Sequence, residues 1–240
     1  MSFHHSPKIV TDGLVFYVNP SSKKCYNGPI GLTSIINDLT GKNRFGFSQV
    51  YFQSDNSLLM GYAGNGVRWY RDFANVAGKV TYMCSFYLPP ASAFVFGIEY
   101  PFILSSFDGL DGFAVYFDAS SMPNAYISMY VALNPYSVEV RSYPLAENNE
   151  SNFGKIYTVA GTLDNGVLKF YVNGSLTDST YNLGVATAIT KSQIEIGYSD
   201  LSFSDTNALI KVYSSMIYNR ALSDKEILQN YNALKGRYKI

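Results

Sequence analysis

The sequence predicts an all-β fold: a two-sheet antiparallel sandwich of jelly-roll type with one short C-terminal helix. Three observations carry that expectation. About a dozen short apolar or alternating runs recur between clusters of Gly, Pro, Asn and Asp, the punctuation of a sandwich. Asn165-Gly166 and Asn173-Gly174 stand eight residues apart. Asn-Gly suits a type I′ turn, whose central residues both need positive φ, so the two pairs specify three consecutive antiparallel strands. Near the C-terminus, Ser223 and Glu226 form an S-x-x-E capping box, followed by Ile227, Leu228, Tyr231 and Leu234 on one helical face.

The elements follow in order. Gly13 to Val18 reads as a first strand, ended by Asn19-Pro20, and a polar, turn-rich stretch runs on to Asn37. Asp38 to Asn43 is a turn; Val50 to Phe52 and Ser57 to Met60 are short strands. Val80 to Leu88 is a strong strand stopped by Pro89-Pro90. Phe102 to Ser106 and Gly112 to Phe117 flank a Gly-containing loop and read as a hairpin. Ala125 to Val131 alternates as a half-buried strand should, and Leu145 to Phe153 is a polar loop. Tyr157 to Leu163 and Val167 to Val172 meet at the first Asn-Gly turn; Gln193 to Tyr198 and Ile210 to Tyr218 are the last strands. No linker, charge run or repeat of 20–50 residues divides the chain. The expected division is an N-terminal arm, 1–12, and one β domain, 13–240.

Composition narrows the function. Lys+Arg and Asp+Glu are 18 each, and only 15% of residues are charged. Nucleic-acid binding needs many cations against phosphate, so it is disfavoured, as is an anionic membrane surface. No run approaches the ~18 apolar residues of a transmembrane helix. Met1 to Lys8 has no apolar signal core, which predicts cytoplasmic synthesis without a cleaved export signal. Tyr (21) and Phe (16) are abundant. The expectation is that the core takes most Phe while many Tyr serve contact surfaces. Cys25 and Cys84 lack zinc-site spacing. Cys84 lies in an apolar run that favours a buried free thiol, and a Cys25–Cys84 disulfide stays open.

Several segments together resemble a known family: Gly13-Leu14-Val15, Asp38-Leu39-Thr40-Gly41, Leu168 to Gly174, Ile194 to Gly197, and Tyr218 to Ile227. They resemble the laminin-G-like branch of the concanavalin A-like lectin/glucanase superfamily, which implies a concanavalin A-like jelly roll. His5 to Val15 and Asn230 to Tyr238 further resemble the two ends of single-domain virion proteins of tailed bacteriophages. That likeness implies a virion structural protein of the capsid surface, collar, tail or fibre, made in the host cytoplasm. Its implied partners are other virion proteins or copies of itself. The stretch from Ser22 to Tyr70 departs from the pattern: Ile35-Ile36 stand where a Trp usually precedes the Asp-Leu-Thr-Gly turn.

Reactive chemistry finds little support. Glycan-cleaving members of the superfamily carry Glu-x-Asp-x-(x)-Glu on one strand, where alternation sets nucleophile and acid on one face. Here Glu195 is followed by Ile196-Gly197, and Glu147 and Glu150 sit in a polar loop, all read as isolated solvated carboxylates. The two histidines, His4 and His5, are adjacent in the arm and have no packed environment to orient them for catalysis. With Lys8 they are read as assembly contacts. Ca²⁺ needs six to eight oxygens. Asp108 and Asp111 in one loop, or Asp200 and Asp205 in another, offer part of such a shell, although Asp-Gly is an ordinary turn former. For host glycans the candidate platform is Trp69 and Tyr70 between Arg68 and Arg71, with Tyr136, Tyr143 and Tyr198 near loops. The leading expectation is a non-enzymatic adhesive structural protein, and the alternative is a carbohydrate-binding module.

Overall fold

The structure, a computed structural model, describes residues 7–33, 36–45, 50–60, 67–71, 79–90, 92, 102–107, 112–121, 124–133, 136–145, 150–180, 193–197 and 210–238. Sixteen strands and one α-helix run through these residues. The strands are β1 (Leu14–Val18), β2 (Gly31–Thr33), β3 (Asn43–Phe45), β4 (Val50–Phe52), β5 (Leu58–Met60), β6 (Val67–Arg71), β7 (Lys79–Leu88) and β8 (Phe102–Phe107). Then come β9 (Gly112–Ser121), β10 (Asn124–Leu133), β11 (Tyr136–Pro144), β12 (Lys155–Asp164), β13 (Val167–Val172), β14 (Ser175–Thr180), β15 (Gln193–Ile196) and β16 (Ile210–Tyr218). The helix α1 (Asp224–Tyr238) follows β16.

Two antiparallel sheets result. The nine-stranded sheet runs β14-β13-β12-β7-β16-β5-β4-β2, with β1 also paired to β16. The seven-stranded sheet runs β11-β10-β9-β8-β15-β6-β3. Alternation sorts each strand between layers. On β13, Leu168, Phe170 and Val172 join the inter-sheet core, while Tyr171 joins a second cluster on the far side of the same sheet. The inter-sheet core holds Phe16, Phe86, Phe113, Phe117, Ile127 and Ile194, all fully buried. Gly161 lies opposite Met129 there, and a Cβ at that position would collide with the Met129 sulfur. The glycine therefore permits the close approach of β12 to β10 across the core.

The second cluster makes a third layer. Met83, Ala160, Tyr171, Met216 and Tyr218 on the outer face of the nine-stranded sheet pack beneath Ile227, Leu234 and Tyr238 of α1. The capping box forms as expected. Glu226 Oε2 accepts from the Ser223 N–H at 2.8 Å and hydroxyl at 2.9 Å, and the Glu226 N–H reaches Ser223 Oγ at 3.4 Å. Arg220 adds a bidentate grip on the same carboxylate, Nη1 to Oε2 at 3.0 Å and Nη2 to Oε1 at 2.6 Å. Arg220 Nε also meets Asp12 at 2.9 Å. Residues 8–10 run along the helix: Gln229 donates to the Lys8 carbonyl at 2.8 Å, and the Val10 N–H donates to Asn230 Oδ1 at 2.7 Å.

The turns behave as their residues dictate. Asn165 and Gly166 have φ of 48° and 82°, Asn173 and Gly174 of 51° and 81°, and β12-β13-β14 is the three-strand unit they specify. Asp38 organises the Asp-Leu-Thr-Gly turn. Its carboxylate accepts from the Tyr17 N–H at 2.8 Å, the Thr40 N–H at 3.1 Å and the Lys42 N–H at 3.2 Å.

The fold departs from the sequence reading in four places. Strands β2, β3, β6 and β11 arise where the sequence shows polar or mixed residues, because their sheet partners supply the hydrogen bonds that set them. Leu228 does not face the sheet: it is 45% exposed, and its place on the buried face is taken by Asn230 and Ala233. Among the described residues many tyrosines are interior: Tyr17, Tyr82, Tyr171, Tyr213, Tyr218 and Tyr238 are all buried. An amphipathic ring can bury its body while its hydroxyl still reaches a partner at the rim of the helix layer. The segment read as a polar loop contains buried Leu145 and a short 3₁₀ turn, Glu150–Asn152.

Candidate binding surface

The helix covers only part of the outer face of the nine-stranded sheet. Register places Leu32 opposite Tyr51, Tyr51 opposite Leu59, Leu59 opposite Lys211, Lys211 opposite Tyr87, and Tyr87 opposite Ile156. These six residues form one cross-strand row. At ~4.8 Å per strand it spans about 24 Å. At the β2 end, Leu32 (53%) and Tyr51 (44%) are exposed, and neighbouring Ile30 is 65% exposed.

At the other end the row opens into a groove of about 740 Å³, bounded by the hairpin turn between β4 and β5, the start of β12, Asn173 after β13, and the flank of α1. Asp55 reaches over it from the β4–β5 turn. Its Oδ1 accepts from the Ser57 N–H at 3.2 Å, which sets the turn. Its Oδ2 meets Lys211 Nζ at 2.8 Å and accepts from the Tyr213 hydroxyl at 3.2 Å. Burial opposes ionisation of Asp55, but the bonds from Lys211 and Ser57 outweigh it and hold the carboxyl below its usual range. Burial and the adjacent Asp55 push the Tyr213 phenol up to about 12. Lys211 also lies 5.9 Å from the Tyr87 ring centre, and Tyr231 closes the groove on the helix side.

A smaller hollow of about 470 Å³ lies at the start of α1. Four of the charged residues lining it are engaged internally: Lys169 with Asp224 at 3.1 Å, Asp164 with Lys79 at 3.0 Å, and Glu226 with Arg220.

The seven-stranded sheet corrects the reading of Glu195. It is fully buried, not solvated, and accepts from Ser105 Oγ at 3.4 Å. Alternation along β15 sends Ile194 and Ile196 into the core and Glu195 to the opposite face, where Ser105 and Ser128 are equally buried. Of the glycan candidates, Arg68, Trp69, Tyr70 and Arg71 lie on β6, between β15 and β3. Their side chains lie outside the described residues, as do those of Tyr136 and Tyr198. Tyr143 is half-buried and packs edge-on to Tyr157, with ring centres 5.9 Å apart. Asp108, Asp111, Asp200, Asp205, His4, His5 and Glu147 lie outside the described residues. Among the described residues no group of three His, Cys, Asp or Glu is placed to hold a metal ion, and no helix is long and apolar enough to cross a membrane. Lys8 is exposed and bound to the helix through its carbonyl. Cys25 and Cys84 are both free and buried.

The sequence reading did not single out the groove residues. The signal available was the alternation that puts Tyr87 and Lys211 outward on strands whose partners are apolar, but strand order cannot be read from one strand.

Two antiparallel sheets with one capped C-terminal helix define a concanavalin A-like jelly roll. Over residues 99–228, more than half of the sequence, the chain matches the concanavalin A-like lectin/glucanases superfamily, and it belongs to that family. Its fold is similar to that of botulinum neurotoxin binding domains. The serotype D binding domain matches with a TM-score of 0.68 at 15% identity, covering 92% of this chain and 50% of that one. The DC binding domain, solved in complex with SialylT, gives 0.69 at 13% identity, covering 93% and 52%. The serotype G binding domain gives 0.66 at 13%, covering 91% and 50%. This chain thus spans about half the length of those structures. A comparison with curated proteins finds no match.

Proposed function

We propose that this chain is a non-catalytic adhesive module of a bacteriophage particle, docking onto other virion proteins. The virion assignment is supported by the likeness of its two ends, His5 to Val15 and Asn230 to Tyr238, to phage structural proteins. The observation that carries the docking role is the uncovered end of the cross-strand row. Ile30, Leu32 and Tyr51 expose apolar surface side by side at the β2 edge, a feature that marks contact sites more often than bare surface. The non-catalytic reading is supported by Glu195, which has no Glu-x-Asp partner on its strand and is sealed from solvent. The test is particle incorporation of Leu32→Asp/Tyr51→Asp. The double variant should unfold at the wild-type temperature yet be depleted from particles. Normal incorporation overturns the docking role, and hydrolysis of any oligosaccharide by the wild type overturns the non-enzyme reading.

A second reading is carbohydrate binding, attaching the particle to host glycans. It is favoured by the lectin family and by fold neighbours that are receptor-binding domains, one in complex with SialylT. Wild-type binding on a glycan array supports it, and a blank array rejects it.

A further inference from the structure

We propose that the groove between the β4–β5 turn and α1 binds an oligosaccharide without cationic groups, with Lys211, held by Asp55, as its polar anchor. This inference rests on the carbohydrate-binding reading and gives it a location and a ligand class.

Four features point that way. A saccharide presents apolar C–H faces and hydroxyls that both donate and accept, so its site needs aromatic surface beside fixed donors and acceptors. Tyr87 and Tyr231 supply the aromatic surface, each only partly buried. Lys211 Nζ uses one N–H on Asp55 at 2.8 Å and has others to offer a sugar hydroxyl, whereas the Asp55 oxygens already accept from Lys211, Tyr213 and Ser57. The pair is held in place before any ligand arrives: Ser57 fixes the carboxylate on one side and Tyr213 on the other. Pre-organised groups cost less ordering on binding.

Charge limits the ligand class. Asp55 stands against both Lys211 and Lys155, so a cationic ligand is opposed while a neutral or acidic saccharide is not. Size agrees: about 740 Å³ lies within the range of small-ligand sites. At the floor, Gly154 leaves open space, since a Cβ there would find only the Tyr87 hydroxyl, 3.8 Å away. The groove continues into the row through Leu59 and Tyr51, which gives a chain of sugars a path across the sheet.

The experiment uses the full chain on a printed array of neutral, sialylated and cationic glucosamine oligosaccharides, followed by calorimetric titration of the strongest hit. Lys211→Met and Asp55→Asn keep side-chain bulk and are paired with Tyr87→Ala, each checked by thermal unfolding. The expected result is a neutral or acidic hit whose affinity falls at least tenfold in Lys211→Met and in Tyr87→Ala. If Tyr87→Ala fails to fold, the two charge-pair variants decide the matter alone. Undiminished binding in Lys211→Met and Asp55→Asn overturns the groove. Loss confined to Trp69→Ala also overturns it while the carbohydrate reading stands. Hits restricted to the glucosamine oligomers overturn the ligand class, and a blank array overturns site and reading together.

Discussion

Asn230, midway along the helix, donates its side-chain amide to the hydroxyl of Tyr218 on β16 at 3.0 Å. The same Asn230 accepts the Val10 N–H at 2.7 Å, and Tyr218 donates to the Val10 carbonyl at 2.9 Å. Helix, sheet and N-terminal segment therefore share one closed, fully buried polar triangle. Every member has its partner, which is the condition under which a buried polar group fixes geometry without a desolvation penalty.

Asn230→Leu should open that triangle. It strands the Val10 N–H and one bonding site of Tyr218 in an apolar layer, at a cost of about 1–3 kcal/mol. Denaturant melts would show the loss, and limited proteolysis should cut between residues 7 and 12 in the variant before it cuts the wild type. Equal protease resistance would show that the segment is held by other contacts.

Deleting residues 1–8 removes only the Lys8 carbonyl from these contacts and leaves Val10 in place. The truncated chain should keep its wild-type unfolding temperature, while incorporation into particles should weaken. Normal incorporation would count against an anchoring role for His4, His5 and Lys8.

Ser223→Ala and Glu226→Gln test the start of the helix. Losing the serine hydroxyl should cost about 1 kcal/mol. Glu226→Gln should cost more, since it also breaks the bidentate Arg220 pair. Arg220, and then the N–H and hydroxyl of Ser223, hold the Glu226 carboxyl down at about 2 against a modest burial effect. Its folded value lies below the ~4.3 of an unfolded glutamate, so its contribution is present above about pH 4.3 and fades as pH falls toward 2. Acid melts should bring wild type and Glu226→Gln together across that window. A constant gap between them would reject the pairing.

Gly174→Ala should destabilise at the second Asn-Gly turn. The residue sits at φ +81°, and a Cβ there would stand 2.9 Å from Tyr231 and 3.1 Å from Leu228. Left-handed strain and collision with the helix add up, for a cost above about 1 kcal/mol by thermal or urea unfolding. A neutral result would mean that the turn relaxes away from α1.

Both thiols should resist alkylation at pH 8. Burial is the main cause that pushes the Cys25 thiol up to about 12, with Asp38 nearby adding to it, and burial raises Cys84 as well. Two equivalents of reagent should react only in denaturant. Rapid labelling of the native chain would contradict their burial.

The sequence was most legible where local chemistry decides the outcome. The Asn-Gly turns need positive φ whatever surrounds them, and Ser223 with Glu226 caps the helix from within four residues. It was least legible where distant strands decide. Asn230 looks like a surface residue on the helix until β16 brings Tyr218 beneath it. Glu195 looks solvated until β8 and β6 flank it on both sides. Leu228 continues the apolar pattern, yet the helix rolls so that Asn230 takes the inward place, because the triangle with Tyr218 and Val10 sets that rotation. The groove is invisible in sequence for the same reason: Asp55 and Lys211 are brought together by strand order, not by spacing.

The nine-stranded sheet keeps its two apolar clusters apart, one toward its sister sheet and one beneath the helix. Amide exchange should therefore have two tiers, with α1 and residues 8–12 trading deuterium sooner than β7, β12 and β13. Exchange of α1 well ahead of those strands would show that the sandwich holds without its helical cover, and simultaneous exchange would show one cooperative unit.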